Sequence, residues 1–462
     1  MFHGEFYWLA SIALVLWIPL SQWLFGRERA PVAAAHTMVW AAMWLPNGAV
    51  FDFPVLPPIG KFEIASMLAL LGVWRKAPRR LKAARIGRGV DWVIWISMLL
   101  LWGTVEVNPE ALRYGKYDVV VELPAFVGYD GMYAAFEILF GIMIPMWIGR
   151  AILRTRQDLL DLLSVLSVAG AIYSIPIMWE LRMSPQLQAS VYGFVDHADF
   201  SQNMRAGGFR SVVFMGHGLI VAFFEYLAFT STLLLSRFRR SLYGVPSWVA
   251  VALHFILLVF CRSAGATIFG LATWLVFKTL KPRAWVTGAV LLSLLVACYP
   301  ISRITDIFPT QAILDFSNST LGPERTQSMQ FRFDNEDLLL IKGQEKFWFG
   351  WGGFSRENVF DDFGKRTTVQ DGYWVAVFGT RGLLGFLTTF FPMVWVVFGV
   401  RKRMSRMAAE DRWLLGGAAW MLGICNVNVI PNMSLPNLHL ILAMGVLVLS
   451  RSLVVMPKKV SR

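Results

Sequence analysis

The sequence predicts an all-α, polytopic integral membrane protein with about 12–13 transmembrane helices and one large external loop that contains an amphipathic helix. Three observations predict it. Of 462 residues, 56% are hydrophobic, and the mean hydropathy of +0.54 lies outside the range of soluble domains. Apolar runs of about 20 residues, the length that crosses a hydrocarbon core of about 30 Å as a helix, recur along the chain. Basic residues, which give a net charge of +13, fall in the short stretches between those runs. That is the distribution of positive-inside loops and leaves no basic surface for nucleic acid.

The runs place spans at roughly 6–24, 33–51, 59–74, 90–107, 130–149, 159–179, 211–236, 247–261, 264–280, 284–300, 373–399, 413–430 and 434–455. The first has no basic region before it ("MFHGEF") and no small-residue cleavage pattern after it, so it is expected to be a retained helix. Cys261, Cys298 and Cys425 lie in or at the ends of apolar runs, at spacings that fit neither a metal site nor a disulfide framework. They are expected to pack.

Orientation follows from the charges. With the first helix running outside to inside, seven inner loops hold 27 of the 43 Lys and Arg, including seven in "RKAPRRLKAARIGR". The N-terminus is then expected on the periplasmic side and the C-terminus in the cytoplasm, the chain forming a single transmembrane domain over 1–462. The outside carries a short loop near 108–129, a second at 181–210, and one of about 70 residues at 301–371. Loops of that length usually have a function.

Within the largest loop, "PERTQSMQFRFDNEDLLLIKGQEKFWFG" begins with Pro323 and Glu324 and repeats apolar residues at helical spacing (Met329, Phe333, Leu340; Phe331, Leu338, Ile341). It reads as an amphipathic helix at the membrane surface. Arg325, Ser328, Arg332 and Glu336 form a stripe on the opposite face, either as a solvated face with an Arg332–Glu336 pair or as a line of ligand-binding groups. In "MRAGGFRSVVFMGHG", Arg205 and Arg210 precede the seventh span, and His217, seven residues beyond Arg210, would share its helix face about 10 Å away. Arg262 occupies a polar break, "VFCRSAGATIF". Each is costly in hydrocarbon and is expected to face a cavity or protein interior unless it snorkels or is satisfied structurally. Three separate outer elements thus bring arginines to one membrane face. Guanidinium groups bind phosphate oxygens bidentately and stay charged when partly desolvated, so the cluster suits a diphosphate on a membrane lipid. No P-loop, dinucleotide fingerprint or metal-ligand spacing is present in the sequence, so no cofactor or metal is indicated.

The order of these features resembles the superfamily of O-antigen polymerases and O-antigen ligases: "FRSVVFMGHG", then "CRSAGA", then a large loop with "ERTQSMQFRFDNEDLLL", "FGWGGFSREN" and "DGYWVAVFGTRGLLGF". The likeness covers about residues 200 to 400. It implies an inverting, metal-independent glycosyltransferase of the bacterial inner membrane, acting on an undecaprenyl-diphosphate-linked glycan donor and a glycan acceptor at the periplasmic face, with other polysaccharide-assembly proteins as possible partners. Polymerases join repeat units into exopolysaccharide or O-antigen, whereas ligases move finished glycan to a lipid acceptor. Known ligases carry a histidine at the end of the large loop; this sequence has "VQDGYW", with Asp371 at that place, which favours the polymerase.

On this reading Arg210 and Arg332 hold the diphosphate, with Arg325, Arg262 and Arg205 behind them. Asp371 orients or deprotonates the incoming hydroxyl, with Glu336 as competitor. Trp348, Trp351, Tyr373 and Trp374 are candidates for stacking on sugars or for the interfacial aromatic belt. His217 and Arg381, the latter in "GTRGLLG", are further candidates. The competing classes are a lipid or glycan transporter, which should show internal repeats with paired broken helices, and a non-catalytic scaffold.

Overall fold

The computed structural model describes residues 8–53, 57–85, 91–116, 121–195, 203–205, 207–433 and 437–454. Positions 6–7, 90, 434–436 and 455 of the expected spans, and the basic residues Arg88, Lys458, Lys459 and Arg462, lie outside them.

The chain is an all-helical bundle with a few two-residue or three-residue strands. In order come α1 (Trp8–Arg27), α2 (Ala30–Trp44), α3 (Lys61–Lys76), α4 (Pro78–Ala83), α5 (Asp91–Glu106), the hairpin β1 (Leu112–Tyr114) and β2 (Val121–Leu123), and α6 (Gly128–Ile138). A π-helical turn, Leu139–Met143, leads into α7 (Ile144–Ile152). Then follow α8 (Arg156–Met183), α9 (Leu187–Tyr192), the hairpin β3 (Met204–Arg205) and β4 (Gly208–Phe209), α10 (Gly218–Leu235), the hairpin β5 (Ser241–Leu242) and β6 (Val245–Pro246), α11 (Ser247–Phe260), α12 (Ala264–Thr279) and α13 (Pro282–Ile304). The remainder is α14 (Thr310–Leu321), α15 (Pro323–Gln344), α16 (Tyr373–Arg403), α17 (Ala409–Asn428) and α18 (Asn437–Ser452).

Among the described residues, six helical segments are long and apolar enough to cross a membrane: α1, α6 with α7, α8, α10, α13 and α16. Helices α11, α12 and the latter part of α18 are apolar but shorter. Helix α10 is buried on nearly every side, packed by α8, α11, α12 and α17. Outer helices do the reverse of a soluble protein's. Trp8, Ile12 and Leu16 of α1, Trp92, Leu99 and Trp102 of α5, and Trp248 and Leu253 of α11 point outward, as a hydrocarbon solvent allows.

One end of the bundle gathers basic loops. Arg29 pairs with Asp161, Arg80 with Asp158 at 3.1 Å, and Arg156 with Glu410 at 2.5 Å, while Arg156 covers the Phe238 ring and Arg237 that of Trp413. The opposite end carries α14, α15 and residues 345–372, stacked over the ends of α5, α13 and α16.

Helix α16 explains the glycine-rich segment. Its 31 residues would span about 47 Å, well beyond the hydrocarbon thickness. The helix is interrupted at Gly382 (φ 65°, ψ −169°), a backbone region essentially reserved for glycine. The "FGWGG" stretch takes up the backbone groups that the break frees. Trp351 and Gly352 N–H donate to the carbonyls of Gly379 (2.8 Å) and Thr380 (2.9 Å), and Leu383 and Leu384 N–H donate to those of Phe347 (2.8 Å) and Trp348 (3.3 Å). The approach is so close that a Cβ on Gly350 would stand 2.5 Å from the Arg381 nitrogen.

The start of the expected seventh span differs from expectation. Residues 211–217 are not helical, and α10 begins at Gly218. Glu180, buried at the end of α8, accepts hydrogen bonds from Ser211 Oγ (3.1 Å) and the Val212 (2.7 Å) and Val213 (2.8 Å) N–H groups. The Phe214 carbonyl accepts from Lys61 Nζ at 2.8 Å. With these partners an irregular segment can sit inside the bundle. His217 is the N-cap of α10, its Nδ1 accepting from Leu219 N–H at 3.0 Å. It therefore caps the helix rather than lying within it, and the shared helix face with Arg210 does not exist.

Candidate functional site

The arginines meet at the end of the bundle that carries α15. The β3–β4 hairpin is closed by Arg210 N–H donating to the Asn203 carbonyl at 2.8 Å. The Arg210 side chain then runs inward across Gly218, where a Cβ would lie 2.2 Å from its Cδ, so only glycine leaves it room. It is 8% exposed. Its Nη2 donates to the Arg262 carbonyl at 3.2 Å, while Nε has no hydrogen-bond partner among the described residues. Arg262 sits in the left-handed region (φ 52°) between α11 and α12. Its Nη1 donates to the Arg205 carbonyl at 2.7 Å. Arg262 thus ties the hairpin to the bundle and carries Arg210 on its own carbonyl.

Helix α15 supplies the other half. Burial, and then the like charges of Arg205, Arg332 and Arg325, bring the Arg210 guanidinium down to about 10, still cationic at neutral pH. Four arginines from the hairpin and α15 therefore share one electrostatic field. Arg332 is half-buried; its Nη1 donates to the Pro431 carbonyl at 2.9 Å and its Nε lies 3.7 Å from Asp371 Oδ2. Asp371 is positioned by its neighbours: Tyr373 N–H donates to the Asn432 carbonyl at 3.1 Å, and a Cβ on Gly372 would stand 2.2 Å from the Ile430 carbonyl oxygen. Burial raises the Asp371 carboxyl above the ordinary aspartate range, and Arg332 opposes the shift.

Glu336 is elsewhere. It is buried, accepting from the Tyr299 hydroxyl (3.0 Å) and Trp374 Nε1–H (3.2 Å), with Arg303 Nε at 3.5 Å. The expected Arg332–Glu336 pair is absent, because these stronger partners from α13 and α16 turn Glu336 toward the bundle. Burial pushes it up to about 7 against the pull of Arg303, Trp374 and Tyr299. The face of α15 that packs is Asn335, Glu336, Leu339 and Leu340, whereas Phe331, Leu338 and Ile341 stay exposed.

Arg303 was not singled out in the sequence. It donates to Asp337 (2.6 Å) and Thr310 (2.6 Å) and covers the Phe333 ring, clamping α14 and α15 to α13. Arg381 lies 3.8 Å from Glu137 and borders a cavity of about 290 Å³ with Asp130, Tyr133 and Phe354. Of the aromatic candidates, Trp351 and Trp374 are buried, the former under Lys342; Trp348 is exposed. Cys261 and Cys425 are buried and Cys298 is exposed, all as free thiols.

Arg210 thus shares its field with Arg205, Arg325 and Arg332, Arg332 reaches Asp371, and Arg262 carries Arg210 on its carbonyl. Glu336 is held instead by Tyr299 and Trp374, His217 caps α10, and Arg381 lies beside Glu137. The arrangement can hold a polyanion and place one carboxylate beside it. No protein-family model and no curated protein matches the chain.

Proposed function

We propose that the protein is a bacterial inner-membrane glycosyltransferase that resembles the O-antigen polymerases, with about 12–13 spans, a periplasmic N-terminus, a cytoplasmic C-terminus and α14 to residue 372 on the periplasmic side. It joins undecaprenyl-diphosphate-linked repeat units. The observation that carries this reading is the convergence of four like-charged arginines, one buried with an Nε that has no hydrogen-bond partner among the described residues, beside the half-buried Asp371. Like charges held together need a counter-anion, and a diphosphate supplies one.

In the reaction the acceptor hydroxyl attacks the anomeric carbon of the donor sugar. Its proton passes to Asp371, the new C–O bond forms as the bond to the diphosphate breaks, and the electron pair leaves with the undecaprenyl diphosphate. Arg210 and Arg332 stabilise the charge that develops there, so no acid is required at the leaving group. Attack opposite the leaving group inverts the anomeric centre.

The test replaces the native gene by Arg332→Ala, Asp371→Ala or Asp371→Asn at matched membrane levels and reads glycan chain length by gel. Loss of long polymer with single lipid-linked units accumulating on the periplasmic leaflet supports the polymerase. Long polymer that stays on its lipid carrier identifies a ligase, and units stranded on the cytoplasmic leaflet a transporter.

A further inference from the structure

Deep in α10, away from the arginines, Glu225 is fully buried seven residues from the helix start at Gly218, about 10 Å along the axis. Its Oε1 lies 2.5 Å from Nδ1 of the buried His254 of α11, and its Oε2 has no hydrogen-bond partner among the described residues. The imidazole Nε2 lies 3.5 Å from the Tyr243 hydroxyl. Tyr243 in turn bonds Ser167 Oγ, which is 2.6 Å from Thr232 Oγ1.

Tyr243 is placed by the β5–β6 turn at the basic end, where it and Gly244 hold φ values of 54° and 77°. Ser167 and Tyr243, with Arg239 and Ser241, line a cavity of about 170 Å³ at that end. Exchangeable atoms thus run without interruption from the cavity to the carboxyl. Gly170 of α8 keeps the space beside the pair open: a Cβ there would stand 3.0 Å from the imidazole Cε1 and 3.1 Å from Oε2.

The same protein shows what a structural ion pair looks like. Arg150 meets Asp91 with two guanidinium nitrogens on two carboxylate oxygens. Among the described residues Glu225 instead leaves one oxygen without a donor, at a depth where an unsatisfied carboxylate is costly.

We propose that Glu225 and His254 form a proton-binding site within the bundle, loaded from the basic end through Ser167 and Tyr243. The Tyr243 hydroxyl gives its proton to His254 Nε2 and regains one from water in the cavity by way of Ser167. His254 Nδ1 passes its own proton to Glu225 Oε1. One proton enters for each one stored, and the charge of the pair rises by one. The other titratable or charged groups around the pair are Arg239 beside Tyr243, and Cys261 at the end of α11 with Arg210 beyond it. Helix α8 contributes Ser167 and Gly170 there. This site is independent of the glycosyltransferase reading.

The test is infrared difference spectroscopy of the purified full-length protein across about pH 4 to 8, where carboxylates and histidine titrate. A protonated-carboxyl band that titrates and is missing in Glu225→Gln is expected. In Tyr243→Phe the same band should exchange with heavy water about tenfold more slowly or worse, the factor given by one lost hydrogen bond of about 1.4 kcal/mol. If Glu225→Gln does not fold, Glu225→Asp should shift the band instead. A spectrum with no band that responds to substitution of Glu225 overturns the proposal, as does unchanged exchange in Tyr243→Phe.

Discussion

Replacing Gly382 by alanine tests the interlock of α16 with the glycine-rich segment. The new Cβ would lie 2.4 Å from the Trp348 carbonyl carbon and 2.5 Å from the Phe349 nitrogen, both backbone atoms that cannot rotate away. A non-glycine residue in this conformation costs about 1–3 kcal/mol. The four hydrogen bonds across the break, at about 0.5–1.5 kcal/mol each, are partly lost as the segments part. The total, about 3 kcal/mol or more, is a large share of a stability of about 5–15 kcal/mol. The assay is thermal unfolding of the purified protein followed by tryptophan fluorescence, with a drop in Tm of about 3 °C or more expected. Gly353→Ala is the control, since its Cβ would meet only the Phe126 ring at 3.8 Å, and it should change stability by less than about 0.5 kcal/mol. Equal melting of Gly382→Ala and Gly353→Ala would refute the interlock.

Glu336 makes stability depend on pH. Its carboxyl is raised in the fold from 4.5 to about 7, so its stabilising contribution is complete below the lower value and is lost as pH rises through the upper one. The full swing is worth about 3 kcal/mol, and denaturant melts of Glu336→Gln should show a flatter pH profile than the wild type. In the proposed reaction Asp371 acts as the ionised carboxylate, so turnover falls as pH drops through its raised value. Arg332→Ala removes the cation that favours ionisation; the acid limb of the pH–rate profile then moves to higher pH and the maximal rate falls by about 10²–10³-fold. Arg303→Met leaves the buried Glu336 without its cation and releases α14 and α15 from α13; a loss of about 3 kcal/mol is expected in the same melts.

Much of the helical bundle was legible because long apolar runs report directly on buried or apolar helices. Every expected span overlaps a helix, but α2 ends at Trp44 and α10 starts only at Gly218, and among the described residues six helical segments are long and apolar enough to cross a membrane. Arg205, Arg210 and Arg262 were legible as costly charges beside apolar runs, since such charges must find an anion or the protein interior, and Arg325 and Arg332 as a stripe at helical spacing. What escaped the sequence depends on partners distant in the chain. "GTRGLLG" keeps an apolar rhythm across the break of α16, because the groups that satisfy it come from some 30 residues upstream. The i, i+4 pairing of Arg332 with Glu336 was the natural local reading; Tyr299, Arg303 and Trp374 override it from two other helices. Residues 211–217 looked like the start of a span because they are apolar, and only Glu180, at the end of α8, makes their irregular backbone possible.

The most direct measurement uses the purified protein in liposomes supplied with a defined undecaprenyl-diphosphate-linked oligosaccharide, with products read by mass spectrometry. The account predicts glycans lengthened by whole repeat units, with one undecaprenyl diphosphate released per unit added. It also predicts that elongation fails in Arg210→Ala, Arg332→Ala and Asp371→Asn. Full elongation by all three variants, or movement of the lipid between leaflets with no new glycosidic bond in the wild type, would contradict it.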